Sequence, residues 1–75
     1  MDKSKDRQAG ERMIIKTLVN LKCAGRCGKA FYTFSMKERG RIFDELIKRG
    51  YIDEHLNVLP ASQEIVTANL DLSDF

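Results

Sequence analysis

The side chains able to do chemistry concentrate between Cys23 and Arg49. Lys37, Arg41 and Lys48 are spaced to share one helical face, opposite Phe43 and Leu46. The cations Lys37 and Arg41 come before Asp44 and Glu45, so the amino-terminal half of that helix is its basic end. Such an end suits a surface that meets phosphates, and an arginine there can pair bidentately with guanine. Ser35 opens the helix, and its hydroxyl together with the helix amino terminus can hold a phosphate. Arg39 lies nearer the apolar side and is expected to run along the edge of the core. Just upstream, Arg26, Lys29, Tyr32 and Thr33 interleave basic and aromatic residues, a pattern suited to backbone contact or to stacking of unpaired bases. The residues expected to touch nucleic acid are therefore Arg26, Lys29, Thr33, Ser35, Lys37, Arg41 and Lys48. The competing reading is an ordinary solvated face in which Arg41 faces Glu45 at i,i+4 spacing. Phe31 and Phe34 are expected in the core.

Other reactive side chains point to less. Cys23 and Cys27 stand four apart in CAGRC. Structural zinc takes four ligands, and His55 is the one further strong ligand here, so buried small apolar residues describe the cysteines better than a metal or redox site. The same histidine falls in an expected turn. No triad can be assembled, and GRCGK lacks the spacing of a phosphate-cradling loop. The expectation is a protein that is not an enzyme, with no cofactor and no metal.

Charge is divided along the chain. All 13 lysines and arginines lie in residues 1–50 beside six acids, whereas residues 51–75 hold five acids and no base. A basic body with an acidic end suggests a polyanionic partner for the body. The acidic end LDLSDF, with Asp71, Leu72, Asp74 and Phe75, is similar to the partner-recruiting tips of bacterial single-stranded-DNA-binding proteins, which would make these residues a contact for another protein.

At 75 residues and 43% hydrophobic content the chain reads as one globular domain with a thin core. No apolar run approaches the ~20 residues that cross a bilayer, and no export signal is visible, so the expected setting is cytoplasmic, without a membrane partner. Residues 1–9 read as a charged lead-in, 10–70 as the domain and 71–75 as an acidic tail.

These side chains need elements to position them. Ile14, Leu18 and Leu21, flanked by Ile15 and Val19, predict a helix from about Gly10 to Lys22 that ends near Gly25. Residues 24–34 read as helix or strand, without periodicity to decide between them. Ser35-Met-Lys-Glu38 is a capping box and opens a helix buried through Ile42, Phe43, Leu46 and Ile47, with Gly50 as its left-handed cap. Tyr51-Ile52 and Leu56-Asn57-Val58 alternate like two short strands about an Asp53-Glu54-His55 turn. Pro60 leads a last helix that would bury Ala61, Ile65, Val66 and Leu70.

The run from the capped helix through Arg49-Gly50-Tyr51-Ile52 to NVLPASQEIV resembles the second half of many bacterial and phage winged-helix domains, over about residues 35–68. The resemblance implies an α+β, mainly helical fold: a small winged-helix-like domain of three or four helices with a short β-hairpin. It also implies a small sequence-specific or architectural duplex-DNA-binding protein, a transcriptional regulator of phage or mobile-element type. One module of this size contacts little DNA, so a homodimer is part of this reading. Asp53 and Glu54 would repel phosphates from the wing, which leaves DNA contact to the helix. The alternative is a compact protein-interaction module that binds or inhibits a host protein through its hairpin and acidic tail.

Overall fold

In the computed structural model, which describes residues 8–73, α1 spans Glu11–Ala24, α2 Met36–Lys48 and α3 Gln63–Ala68. The Gly10 carbonyl accepts the amides of Met13 and Ile14 at the start of α1. Gly25, at φ 69°, ends the helix in the left-handed region where a side chain would be strained. The apolar stripe of α1 is buried as its spacing requires: Ile14, Ile15, Leu18 and Val19 form the centre of the core. They are joined by Ile42 and Leu46 of α2, by Phe31 and Phe34 between the helices, and by Ile52, Val66 and Leu72 from the carboxyl-terminal half. Each such side chain taken fully from water contributes about 1.5–3 kcal/mol. Both α2 and α3 pack on α1, as does a short 3-10 turn at Leu70–Leu72.

α2 follows its local signals at its ends, but of the four apolar residues expected to be buried Ile42 and Leu46 are, Phe43 is half-buried and Ile47 is exposed. Ser35 Oγ accepts the Glu38 amide at 3.2 Å. At the other end Gly50 N donates to the Ile47 carbonyl and Tyr51 N to the Leu46 carbonyl, which is a Schellman cap around Gly50 at φ 79°. The second half of the expected capping box is replaced. The Glu38 carboxylate turns to the Ala9 amide, 29 residues away in sequence.

Residues 24–34 are neither a full helix nor a strand. After Gly28 at φ 87°, a 3-10 turn at Ala30–Thr33 drops Phe31 into the core. Asn20, wholly buried on α1, donates through Nδ2 to the Cys27 carbonyl at 3.0 Å and holds the loop to the helix. Cys27 is buried and Cys23 is exposed, so only one of the two cysteines serves the core as expected.

The expected α+β class with a winged hairpin is not what forms. Among the described residues the domain is all-helical, and the supposed hairpin is reduced to one isolated antiparallel bridge between Ile52 and Val58. The reason is space and local chemistry. Only nine residues separate Gly50 from Pro60, and the turn consumes most of them. Asp53 Oδ1 accepts the amides of His55 and Asn57, both at 2.9 Å, which organises a tight loop in place of a ladder. With no third segment to pair, two-residue arms do not sustain a sheet.

The last helix also differs in register. Pro60 opens a 3-10 turn, Pro60–Ser62, before α3 begins. This tighter winding rotates Ser62 and Val66 inward and leaves Ala61 and Leu70 exposed. Leu72 takes the place expected of Leu70, and Ala9 is buried at the other end, so the core extends past both expected domain boundaries.

Candidate nucleic-acid interface

The outward face of α2 presents Lys37, Gly40, Arg41, Asp44 and Lys48 to solvent, as the helical spacing requires. A Cβ added at Gly40 would meet nothing within 4 Å. Glycine in a helix interior is unfavourable by about 0.5–1 kcal/mol relative to alanine, and no packing within the chain asks for it. The result is a shallow place on the helix between two cations, where another surface can come close to the backbone.

Arg41 is more committed than its position suggests. Its Nε and Nη2 donate to Glu38 Oε2 at 2.8 and 2.6 Å, and Nη2 also donates to the Ala9 carbonyl at 2.8 Å. The partner is thus Glu38 rather than Glu45, which instead accepts from Arg49. Glu38 is buried, and the Arg41 guanidinium and then the Ala9 amide hold its carboxyl below the usual carboxylate range. Arg41 therefore fastens Ala9, two residues before α1, to the first turns of α2, and its charge is largely balanced where it stands. Sequence reasoning put Arg41 on the right face but missed Glu38 and Ala9, because their meeting is a long-range event.

Arg39 follows the edge of the core as expected. Nε donates to the Phe34 carbonyl at 3.0 Å and Nη2 to the Tyr32 carbonyl at 2.9 Å. The guanidinium carbon lies 5.1 Å from the Tyr32 ring centre and 5.9 Å from that of Phe31. These acceptors are neutral, so Arg39 keeps its positive charge while bracing the 3-10 turn. Beside it, Arg26, Gly28, Lys29 and Tyr32 line a shallow, open pocket of about 210 Å³. Tyr32 is 60% exposed and its neighbour Phe31 is buried, with the two rings edge to face at 5.2 Å.

The remaining expected contacts serve local structure to different degrees. Thr33 is exposed, but its hydroxyl donates to the Ala30 carbonyl at 2.6 Å within the turn. The Ser35 hydroxyl oxygen is engaged as the α2 cap. Lys29, Lys37 and Lys48 are exposed, as is Arg26. Tyr32 was noticed beside the basic residues, but only the structure shows it as the wall of a pocket they share.

The carboxyl-terminal expectations separate in the same way. Asp71 is exposed, whereas Leu72 is buried on the core and serves the fold rather than a partner. Asp74 and Phe75 lie outside the described residues. His55 is exposed in its turn, and burial pushes the Cys27 thiol above its ordinary value. Among the described residues no group of three or more His, Cys, Asp or Glu side chains is placed to hold a metal ion. Among the described residues no helix is long and apolar enough to cross a membrane. No protein-family model matches the chain, and no curated protein or solved structure matches it either.

Proposed function

We propose that the protein binds duplex DNA through the outward face of α2 and acts by occupancy, as a small regulator without catalysis. The observation that carries the reading is how the charges are spent. In the basic part of the domain, Glu38 is taken by Arg41, and Glu11 and Glu45 are taken by Arg49. Lys37 and Lys48 stand exposed along the same helix face, with Gly40, the Glu38-bound Arg41 and one exposed acid, Asp44, between them, so cations outnumber acids on this face. A helix bearing spaced cations and a shallow centre suits the phosphates that flank a groove. With the acidic loop at Asp53 and Glu54 forming no wing, the helix face is the part of the molecule that supports contact.

Titrating a labelled mixed-sequence duplex at low and near-physiological salt tests this. Affinity should fall steeply as salt rises, and Lys37→Ala should weaken binding for every sequence while reducing the salt slope by roughly one. Absence of binding even at low salt would remove the DNA reading. The protein-interaction alternative would then lead, supported by Leu56, which sits 40% exposed at φ 66° at the tip of the acidic loop. A leucine in that backbone region is uncommon, and Asp53 maintains it through the loop hydrogen bonds.

A further inference from the structure

The pocket formed by Arg26, Gly28, Lys29 and Tyr32 lies in the segment between α1 and α2 and shares no residue with the outward face of α2. It combines three properties that rarely meet by packing alone. The first is an aromatic ring left in solvent. Tyr32 is 60% exposed in a domain whose other nearby aromatics, Phe31 and Phe34, are buried. The second is rigidity. Arg39 braces the turn by donating to the carbonyls of Tyr32 and Phe34, and its guanidinium lies 5.1 Å from the centre of the Tyr32 ring. The ring is therefore presented in a defined orientation: Arg39 covers one of its faces and does not line the pocket, which leaves a base only the other face on which to stack. The third is charge. Lys29 and Arg26 form the pocket's other walls, and no acid lines it.

An exposed, pre-oriented aromatic between cations matches one ligand chemistry well: a flat base attached to a phosphate. Stacking on the ring is tolerant of base identity, and the neighbouring cations take the phosphates on either side. A paired base in a duplex cannot reach such a ring without leaving its stack. Gly28, at φ 87°, sets the bend that brings Arg26 and Lys29 to the same mouth, and a side chain there would be strained. The pocket of about 210 Å³ has room for one planar ring at its open face rather than for a long buried ligand.

We infer that the Tyr32 pocket binds an unpaired base of single-stranded DNA, stacked on the tyrosine ring with its flanking phosphates on Lys29 and Arg26. The inference rests on the reading of the protein as DNA-binding but uses a different surface, so the two can fail separately.

The test uses the full chain with a short oligothymidine, the same sequence as RNA, and a blunt duplex. The chain has two tyrosines and no tryptophan, so quenching of tyrosine emission reports stacking directly. Oligothymidine should quench the wild-type protein, and Tyr32→Phe, which keeps the ring face, should retain affinity while the quenching is lost with the fluorophore. Tyr32→Ala should bind oligothymidine about 5- to 150-fold more weakly, the range that one base–aromatic stack commands, with its duplex affinity unchanged. Lys29→Ala should weaken the same binding and lower its salt dependence. The Arg39 hydrogen bonds go to backbone carbonyls, so Tyr32→Ala keeps them, and circular dichroism checks that the helices remain. Full oligothymidine affinity in folded Tyr32→Ala would overturn the inference and leave duplex binding standing. Tighter binding of the RNA oligomer would overturn the assignment to DNA. Binding of neither single strand nor duplex would remove both readings together.

Discussion

The two ends of α2 carry the same kinds of charge and use them in opposite ways. At the amino end Glu38 is buried and accepts from the Ala9 amide at 2.7 Å and from Arg41 at 2.6 Å. At the carboxyl end Arg49 reaches Glu11 with two hydrogen bonds, at 2.6 and 2.7 Å, but the Glu11 side chain is 64% exposed. Both contacts tie α2 to the start of α1, and the geometry of the second is at least as good. What separates them is water. The buried carboxylate has few alternatives to its protein partners, while the exposed pair competes with solvent and salt. Good hydrogen-bond geometry alone is therefore a poor guide to which contact holds the helices together.

The sharpest way to break the comparison is at the buried end. Glu38→Ala should cost about 2–3 kcal/mol, because it strips a charged acceptor from the Ala9 amide and leaves Arg41 without its partner. Urea unfolding measures this, and a loss below that of the Arg49 variant would reverse the ranking. Acid should act through the same group. Arg41 and the Ala9 amide depress the Glu38 carboxyl in the folded state, so the folded protein takes up that proton less readily than the unfolded chain. The stabilisation is complete above the unfolded carboxyl value of about 4.3 and drains away as pH falls toward the folded value. Glu38→Gln should flatten that part of the pH profile. Glu11 and Asp53 are depressed as well, so some acid sensitivity will remain, and an unchanged profile would assign all of it to them.

Between the two ends lies Gly40, which separates stability from contact. Gly40→Ala should raise stability by about 0.5–1 kcal/mol, since nothing within the chain meets the added methyl. It should also weaken duplex binding by crowding the shallow centre of the face. A gain in stability with duplex affinity unchanged would show that the face is simply solvated. The smallest effect is expected at the exposed end. Arg49→Ala should cost about 0.2–1 kcal/mol at low salt and less at high salt, read from unfolding midpoints in the two conditions.

Legibility followed the range of the interactions. Ser35 and Gly50 announce α2 because a helix cap is made between residues a few positions apart, although of the capping box only the Ser35 half forms, the Glu38 carboxylate being taken by the Ala9 amide. Arg39 could be placed at the core edge for the same reason: the angle between neighbours on a helix is set locally. Arg41 could be placed on the outer face, where Glu38 and Glu45 are both within helical reach; what had no local signal is Ala9, 32 residues away, which meets Arg41 and Glu38 together. Asn20 was not singled out in the sequence, because its role in holding the Cys27 carbonyl has no local signal. The wing was misread because Tyr51-Ile52 and Leu56-Asn57-Val58 have the alternation of strands without the partners that make strands form. Asp53 offered the backbone closer acceptors, and the loop took them.

The sequence by itself thus determined α1 and α2 and their ends, which face of each is buried, and the division of charge between a basic body and an acidic end. These depend on helical spacing, on caps, and on the left-handed glycines Gly25 and Gly50. Only the tertiary structure decided that Glu38 faces Ala9, that Leu72 rather than Leu70 closes the core, that residues 51–59 make a loop, and that Tyr32 shares a pocket with Arg26 and Lys29. Each of those outcomes waits on segments far apart in the chain being brought together, and burial then selects, among several locally acceptable arrangements, the one that satisfies every buried polar group.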